Sequence, residues 1–271
     1  MGCNKSKPQP DPLPPSPPPA PPAETIGYYS WNWSTGSYGP SAANVGVAFT
    51  GYVDVAKAVS MYVLGAGCVC PNLVNSYKGK PYITIGGGNE HGNFTVEALS
   101  DITNNLDLIT PSYSGIIFDI EIANGDASEL VEAFQDTFKA AKAKDLEVGL
   151  TIPHSAPFET DTPQVAIDLV TSWAQEENID FISPQLYSAG NETSPDFEQT
   201  GKCVEEGCTL DLFKGLTPKF VPSIVDASQY DAVHDFFWTN YGINCTGYFQ
   251  WAQVGTAPSQ ESSADALSFL Y

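Results

Sequence analysis

Short apolar runs and longer amphipathic stretches alternate along the chain from residue 24 onward. Short runs rich in β-branched and aromatic side chains are typical of strands, whereas apolar residues that recur every three or four positions are typical of helices. Eight runs have the first pattern: "TIGYYSW", "VGVAFT", "YITIGGG", "SGIIFDIE", "EVGLTIPH", "DFISPQLYS", "KFVPSIV" and "GYFQWAQ". Five stretches have the second, most of them opening near a Ser, Thr or Asp cap: "TVEALSDITNNLDLI", "SELVEAFQDTFKAAKAK", "TPQVAIDLVTSWAQEE", "SQYDAVHDFFWTNYG" and "SQESSADALSFL". Near residue 53, "VDVAKAVSMYVL" fits either a helix or a further pair of strands.

This alternation predicts an α/β fold with a parallel sheet. Eight strand and helix units within about 250 residues have the size and order of a (β/α)8 TIM barrel, and we expect one such domain over residues 24–271. An open, doubly wound sheet is the alternative that the same pattern permits. In a barrel, the reacting groups are expected at the carboxyl ends of the strands.

The first 23 residues have a different composition, because most of them belong to a proline-rich tract that cannot form a packed core. We expect residues 1–23 to be a disordered tether. Met1, Gly2 and Ser6 match the pattern for N-myristoylation, Cys3 could take a second acyl chain, and "GC" also resembles the end of a bacterial lipoprotein signal. A chance match is the alternative. A lipid on Gly2 or Cys3 would be the chain's one link to a membrane, and the expected location is extracellular or at the cell surface.

The charge balance excludes several classes of partner. The chain has 271 residues with 11 Lys and Arg against 32 Asp and Glu, a formal net charge of -21, which repels nucleic acid and anionic lipid. With 42% hydrophobic residues it can form one sizeable core, and we expect a monomer. Four Asn-x-Ser/Thr sequons favour export if the host is eukaryotic, at Asn32, Asn93, Asn191 and Asn244.

Cysteine and histidine spacing gives no reason to expect a metal or a cofactor. Cys203 and Cys208 could close a local disulfide or remain thiols, and the other cysteines are Cys3, Cys68, Cys70 and Cys245. The three histidines, His91, His154 and His234, are far apart in sequence, which argues against a zinc site or a serine triad. His91 and His154 follow predicted strands, so either could line a cleft. We expect no cofactor and no metal.

Acidic and aromatic side chains gather where the predicted strands end. Asp119 and Glu121 lie two positions apart at the end of the fourth strand, so both would face the barrel axis. The sixth strand ends with Gln185 and Tyr187, again two apart. Large aromatic residues end the first and eighth strands: Tyr28, Tyr29, Trp31, Phe249 and Trp251.

Such a mouth suits a sugar, whose apolar faces stack on rings while its hydroxyls need polar partners. Two neighbouring acids are also suited to glycosidic cleavage. One acid must stay protonated to donate a proton to the leaving oxygen, and the negative charge of its neighbour raises its pKa. Acids that leave the same strand lie on one side of the substrate. The alternative is that Asp119 and Glu121 are merely a solvated strand end.

These motifs together resemble family 18 glycoside hydrolases, the chitinase family, in its compact plant-type form. "GIIFDIE" is similar to the family's D-G-x-D-x-D-x-E strand, and "YITIGGG", "EVGLTIPH", "ISPQLYS" and "GYFQW" are similar to its strands three, five, six and eight. The resemblance implies cleavage of β-1,4-linked N-acetylglucosamine, in chitin or a related glycan, with retention of configuration. It implies that Glu121 is the general acid, that Asp119 and Tyr187 hold the substrate's N-acetyl group as the nucleophile, and that Trp251 is the sugar platform. Gln185, Tyr28, Trp31 and Phe249 are further candidate sugar contacts.

The sequence departs from the family motif at two positions, Ser114 and Ile117, where the motif has aspartates. With Ile117, Asp119 loses the acid that normally accompanies it, which implies a reduced or altered glycosidase. A non-catalytic sugar-binding barrel is the alternative function, and a structural module on the N-terminal tether is a third.

Overall fold

Eight parallel strands close into a barrel, as the alternation predicted. The computed structural model describes residues 23–31, 39–63, 78–154, 158–199 and 210–252. Around the barrel the strands are β1 Thr25–Trp31, β2 Val45–Phe49, β3 Lys80–Gly86, β4 Gly115–Asp119, β5 Glu147–Pro153, β6 Phe181–Gln185, β7 Ser223–Ile224 and β8 Gly247–Gln250. Strand β7 pairs with both β6 and β8, and β8 pairs with β1, so the sheet has no free edge at the seam. The open doubly wound alternative is therefore excluded.

The predicted seventh strand is broken into two pieces. Lys219–Phe220 pairs with β6 as a separate short strand, and the chain returns to the sheet as β7. Between the two pieces lies Pro222, which has no backbone N–H to donate to a ladder. The carbonyl of Pro222 still accepts a hydrogen bond from Phe249 N, at 3.0 Å.

Helices cover the outside of the barrel. They are α1 Val55–Val63, α2 Val96–Asn105, α3 Ala127–Lys142, α4 Pro163–Trp173 and α5 Tyr230–Tyr241. Thr95 and Asp126 cap α2 and α3 by accepting backbone N–H bonds, and Gly242 ends α5 in the left-handed conformation. The ambiguous stretch from residue 53 is thus helical. A short sheet, Ile122–Ala123 with Glu159–Thr160, lies beside the β4 and β5 ends.

The barrel separates two apolar regions. Side chains that point outward from the strands pack under the helices, while a smaller cluster fills the inside: Tyr29, Val45, Val47, Tyr82, Ile117, Phe181, Val221 and Phe249. Within the described ranges, no helix is long and apolar enough to cross a membrane.

Several predictions fall on residues outside the described ranges. These are the tether with Gly2 and Cys3, the sequon at Asn32, the cysteines Cys68, Cys70, Cys203 and Cys208, and the predicted terminal helix over "SQESSADALSFL". Cys245 is described, and it is a buried free thiol.

Candidate active site

The end of β4 brings two carboxylates into the barrel mouth. Side chains alternate along this strand, so Phe118 and Ile120 pack outward under the helices while Ile117 and Asp119 point inward. Asp119 is the last residue of β4 and is fully buried, and Glu121, two residues later, is half-buried. The two acids are therefore part of the barrel interior rather than a solvated strand end.

Gln185, the last residue of β6, joins the two acids. Its Nε2 donates to Asp119 Oδ1 at 3.0 Å and lies 3.4 Å from Glu121 Oε1. The amide carries two N–H donors, so it can serve both carboxylates at once. The other carboxylate oxygen, Asp119 Oδ2, is buried and accepts no hydrogen bond from a neutral donor among the described residues. When one of the two acids is protonated, Asp119 and Glu121 hydrogen-bond to each other.

The environment favours the protonated form of these acids. Burial raises the pKa of Asp119 well above its ordinary value, and the charge of Glu121 raises it further. Burial also raises the pKa of Glu121, against the lowering effect of the hydrogen bond from Gln185. Two adjacent carboxylates out of water share a proton more easily than both ionise. The pair can therefore supply one acid and one base.

An aromatic group surrounds Trp251 on the other side of the mouth. The Trp251 ring lies 4.9 Å from that of Trp31, and it stacks on Tyr187 at 5.9 Å and 25°. Tyr29 and Phe49 approach it edge-on, at 5.6 and 5.1 Å. A cavity of about 180 Å³ opens here between Trp251 and Glu121, and the loop Ser188–Gly190 forms its outer wall.

Tyr187 adds a hydrogen-bond donor to this cavity. Burial raises the pKa of its phenol well above the ordinary value, and the neighbouring Tyr29 and the two carboxylates raise it further. The hydroxyl is therefore protonated at neutral pH and can donate to a ligand oxygen.

Two glycines allow close approach to the reacting groups. A Cβ on Gly88, in the loop after β3, would overlap with Glu121 Oε2 and lie 3.2 Å from Glu121 Cδ. A Cβ on Gly190 would lie 2.7 Å from Trp251 Cδ1, and Gly190 also has a φ of 78°. Both glycines let a loop backbone close against a side chain that lines the cavity.

The structure brings Glu121, Asp119, Tyr187, Gln185, Trp31 and Trp251 together, but two predicted contacts lie elsewhere. Tyr28 points away from the axis, because its neighbours Gly27 and Tyr29 face inward, and its hydroxyl accepts from Lys78 N at 3.2 Å. Phe249 is fully buried inside the barrel, where it stacks on Phe181 at 5.1 Å. The prediction that Tyr28 and Phe249 contact the sugar is therefore wrong.

The histidines support loops rather than line the cavity. His154 is 7% exposed, its Nδ1 is 2.9 Å from the Gln185 carbonyl, and its Nε2 contacts the Glu198 carbonyl. His91 is half-exposed and stacks on Tyr52 at 5.0 Å, and His234 is buried in α5.

Two residues of the site, Phe49 and Gly88, were not among those predicted from the sequence. Phe49 is on the same face of β2 as Val45 and Val47, so alternation could have revealed it. Gly88 had no such signal, because its contact with Glu121 depends on the loop conformation. Among the described residues, no group of three or more His, Cys, Asp or Glu side chains could hold a metal ion.

The sequence matches no protein-family model and no curated protein. Solved structures with a similar fold include the following three. The ICChI chitinase from Ipomoea carnea has 15% identity and a TM-score of 0.47, and the match covers 90% of this chain and 99% of that one. A chitinase from Chromobacterium violaceum has 13% identity and a TM-score of 0.43, and the match covers 90% of this chain and 99% of that one. Ega3 from Aspergillus fumigatus, in complex with galactosamine, has 11% identity and a TM-score of 0.42, and the match covers 86% of this chain and 93% of that one. At these identities and TM-scores the similarity concerns the fold alone.

Proposed function

We propose that this chain is a glycoside hydrolase that cleaves β-1,4-linked N-acetylglucosamine in chitin or a related glycan. The observation that carries the proposal is the buried Asp119 and Glu121 pair, bridged by one amide and facing the aromatic group around Trp251. An acid kept protonated by its surroundings can donate to a glycosidic oxygen, and rings beside it can hold the apolar face of a sugar.

The accessible surface of the pair suggests which acid does what. Glu121 lines the cavity, whereas Asp119 is buried behind it, so Glu121 is the group that can reach a leaving oxygen. Asp119 is placed to share a proton with Glu121 and to orient a donor on the substrate. Tyr187 and Trp251 line the same cavity, where a phenol O–H and an indole face suit an amide carbonyl and a sugar ring.

The one-sided arrangement favours a nucleophile supplied by the substrate. Among the described residues that line this cavity, Glu121 is the only carboxylate, so none of them stands across the sugar to attack or to activate water. A glycosidase with two opposed carboxylates needs such a group, and substrate-assisted enzymes are the known exception. The N-acetyl group of N-acetylglucosamine can act in its place, which implies retention of configuration.

The test is turnover of a chromogenic chito-oligosaccharide by the wild type and by Glu121→Gln. Loss of the general acid is expected to lower kcat by about 10²–10⁴-fold, the usual worth of such a group. The matched control is Glu90→Gln, a carboxylate after β3 at the same end of the barrel whose side chain is 86% exposed. Unchanged turnover in Glu121→Gln would refute the assignment.

A second function is favoured by one residue. Ile117 lies directly below Asp119 on the inner face of β4, in an apolar cluster that gives Asp119 no charged partner. An apolar residue below Asp119 is consistent with a barrel that binds N-acetylglucosamine oligomers without cleaving them. It predicts binding by calorimetry that is lost in Trp251→Ala, with no hydrolysis by the wild type from pH 4 to 9.

We also propose that the barrel works outside the cell or at its surface, on the proline-rich tether. Sequons support this location, since Asn191 and Asn244 are exposed and accessible to a glycan. Asn93 is a poorer acceptor, because its Oδ1 is buried.

A further inference from the structure

We propose that Gln185, which also lines the cavity, is the positioning residue of the acid pair, holding Asp119 and Glu121 in register through its amide. This inference rests on the proposed hydrolase function for its kinetic readout. It concerns a residue whose chemistry would otherwise suggest a simple sugar contact.

The first observation is the direction of the amide. Gln185 Nε2 is 3.0 Å from Asp119 Oδ1 and 3.4 Å from Glu121 Oε1, so both N–H hydrogens of the amide have a carboxylate to serve. A neutral donor shared by two acids draws them together without adding a third negative charge. The amide thus fixes the distance and orientation of the pair.

The second observation is that Asp119 has little other support. Among the described residues, Gln185 is the one neutral side chain that donates to its carboxylate, and the other hydrogen bond of Asp119 is to Glu121, the second acid of the pair. Below Asp119 on the same face lies Ile117, whose side chain cannot donate. Three of the inner hydroxyls bond one another: Tyr29 with Ser223 at 3.0 Å and Ser223 with Ser183 at 2.8 Å.

The third observation is that Gln185 is itself held in place. It is paired in the sheet with Pro153 of β5 and with Ser223 of β7. Its carbonyl lies 2.9 Å from His154 Nδ1, and His154 is almost fully buried. A donor on such a rigid strand end needs no reorganisation when the acids change charge, which is what a positioning residue requires.

The Gln185 amide also affects the pKa values of the two acids. A residue that only contacted the sugar would not change those pKa values in the free protein, so the titration of the pair distinguishes the two roles. The hydrogen bonds of the amide favour the charged forms of both acids and so oppose the effect of burial on their pKa values. Without the amide the pair should lose its first proton at a higher pH. Gln185→Met removes both donors at similar volume, and Gln185→Glu retains one donor when protonated.

The experiment compares kcat, KM, the pH profile and the carbon-13 carboxyl titration of wild type, Gln185→Met and Gln185→Glu. For Gln185→Met we expect kcat to fall about 10²-fold with KM changed less than about threefold, and the acidic limb to move to higher pH. Gln185→Glu should recover part of kcat at low pH only. A KM increase in Gln185→Met with kcat and the pH profile unchanged would overturn the proposal and make Gln185 a sugar contact.

The titration separates this inference from the proposed function, because it needs no turnover. If the wild type cleaves nothing but the carboxyl resonances titrate at higher pH in Gln185→Met, the positioning role stands and the hydrolase falls. If the wild type is active and the carboxyl titration of Gln185→Met is unchanged, the hydrolase stands and the positioning role is overturned. Thermal melting of each variant verifies that it is folded.

Discussion

Gly88 lies directly against the carboxylate of Glu121. Its replacement by alanine would move the carboxylate of the proposed acid while leaving the glutamate itself in place. An added Cβ overlaps with Glu121 Oε2 and lies 3.2 Å from Glu121 Cδ. The flexible end of the glutamate gives way more easily than the loop backbone, and relief of the overlap moves the carboxylate by about 1 Å. A displacement of that size typically costs about 10²-fold in rate. We therefore expect kcat/KM to fall about 10²-fold, or about 2.7 kcal/mol of transition-state stabilisation.

The fold should not suffer from the same change. Gly88 is not among the glycines with positive φ, so alanine can adopt its backbone conformation. Such a substitution usually stabilises by about 0.4–1 kcal/mol, so the Tm should be unchanged or higher by up to about 4 °C.

The matched control is Gly215→Ala. Gly215 precedes the seventh strand, at the end of the barrel opposite the mouth, has a φ of 67° and has nothing within 4 Å of an added Cβ. The left-handed conformation should cost about 1–2 kcal/mol and lower the Tm, with kcat/KM unchanged. The assay is hydrolysis of a chromogenic chito-oligosaccharide together with thermal melting. Wild-type kcat/KM in Gly88→Ala, with its melting temperature intact, would refute the reasoning that Glu121 must occupy its present position.

Four other substitutions test the site and the barrel interior. Burial raises the pKa of Asp119 above its value in the unfolded chain, so the unfolded state ionises first and folding stability is lost as the pH rises above about 4. Asp119→Asn removes this loss, so the Tm of the variant should exceed that of the wild type by an amount that grows from pH 4 to pH 7. A Tm difference that stays constant over this range would contradict the prediction. Trp251→Ala should weaken oligosaccharide binding at least about tenfold by calorimetry, whereas Tyr187→Phe keeps the ring and should lower kcat more than affinity; equal effects on affinity would count against the separate roles. Phe249→Ala should cost about 3–5 kcal/mol in chemical denaturation; altered sugar affinity in the folded protein would contradict its placement inside the barrel.

Local pattern was enough to predict the eight strands, because each is a short run of β-branched or aromatic residues. The position of Tyr28 could also have been predicted from the alternation of side chains along β1. Its neighbours Gly27 and Tyr29 face inward, so Tyr28 is on the outer face. For Phe249, alternation along the strand is not enough to predict contact with a ligand. Phe249 does face inward, but whether a ligand can reach it depends on how side chains from other strands, such as Phe181, fill the barrel interior.

The geometry of the site depends on contacts that no single segment determines. Gln185 reaches Asp119 because closure of the barrel sets the register of β4, β5 and β6, with Asp119 beside Thr151 and Thr151 beside Ser183. The approach of Gly88 to Glu121 depends on the path of a loop after another strand. Residue types at strand ends could therefore be predicted, whereas the hydrogen bonds among them could not.

The most direct test of the account is the anomeric configuration of the first product. Proton NMR during hydrolysis of a chito-oligosaccharide distinguishes the new reducing end before mutarotation mixes the two forms. If Glu121 is the acid and the substrate's own N-acetyl group is the nucleophile, the β-anomer should appear first. An initial α-anomer would show attack by water from the opposite face and would contradict the mechanism drawn from this one-sided pair of acids.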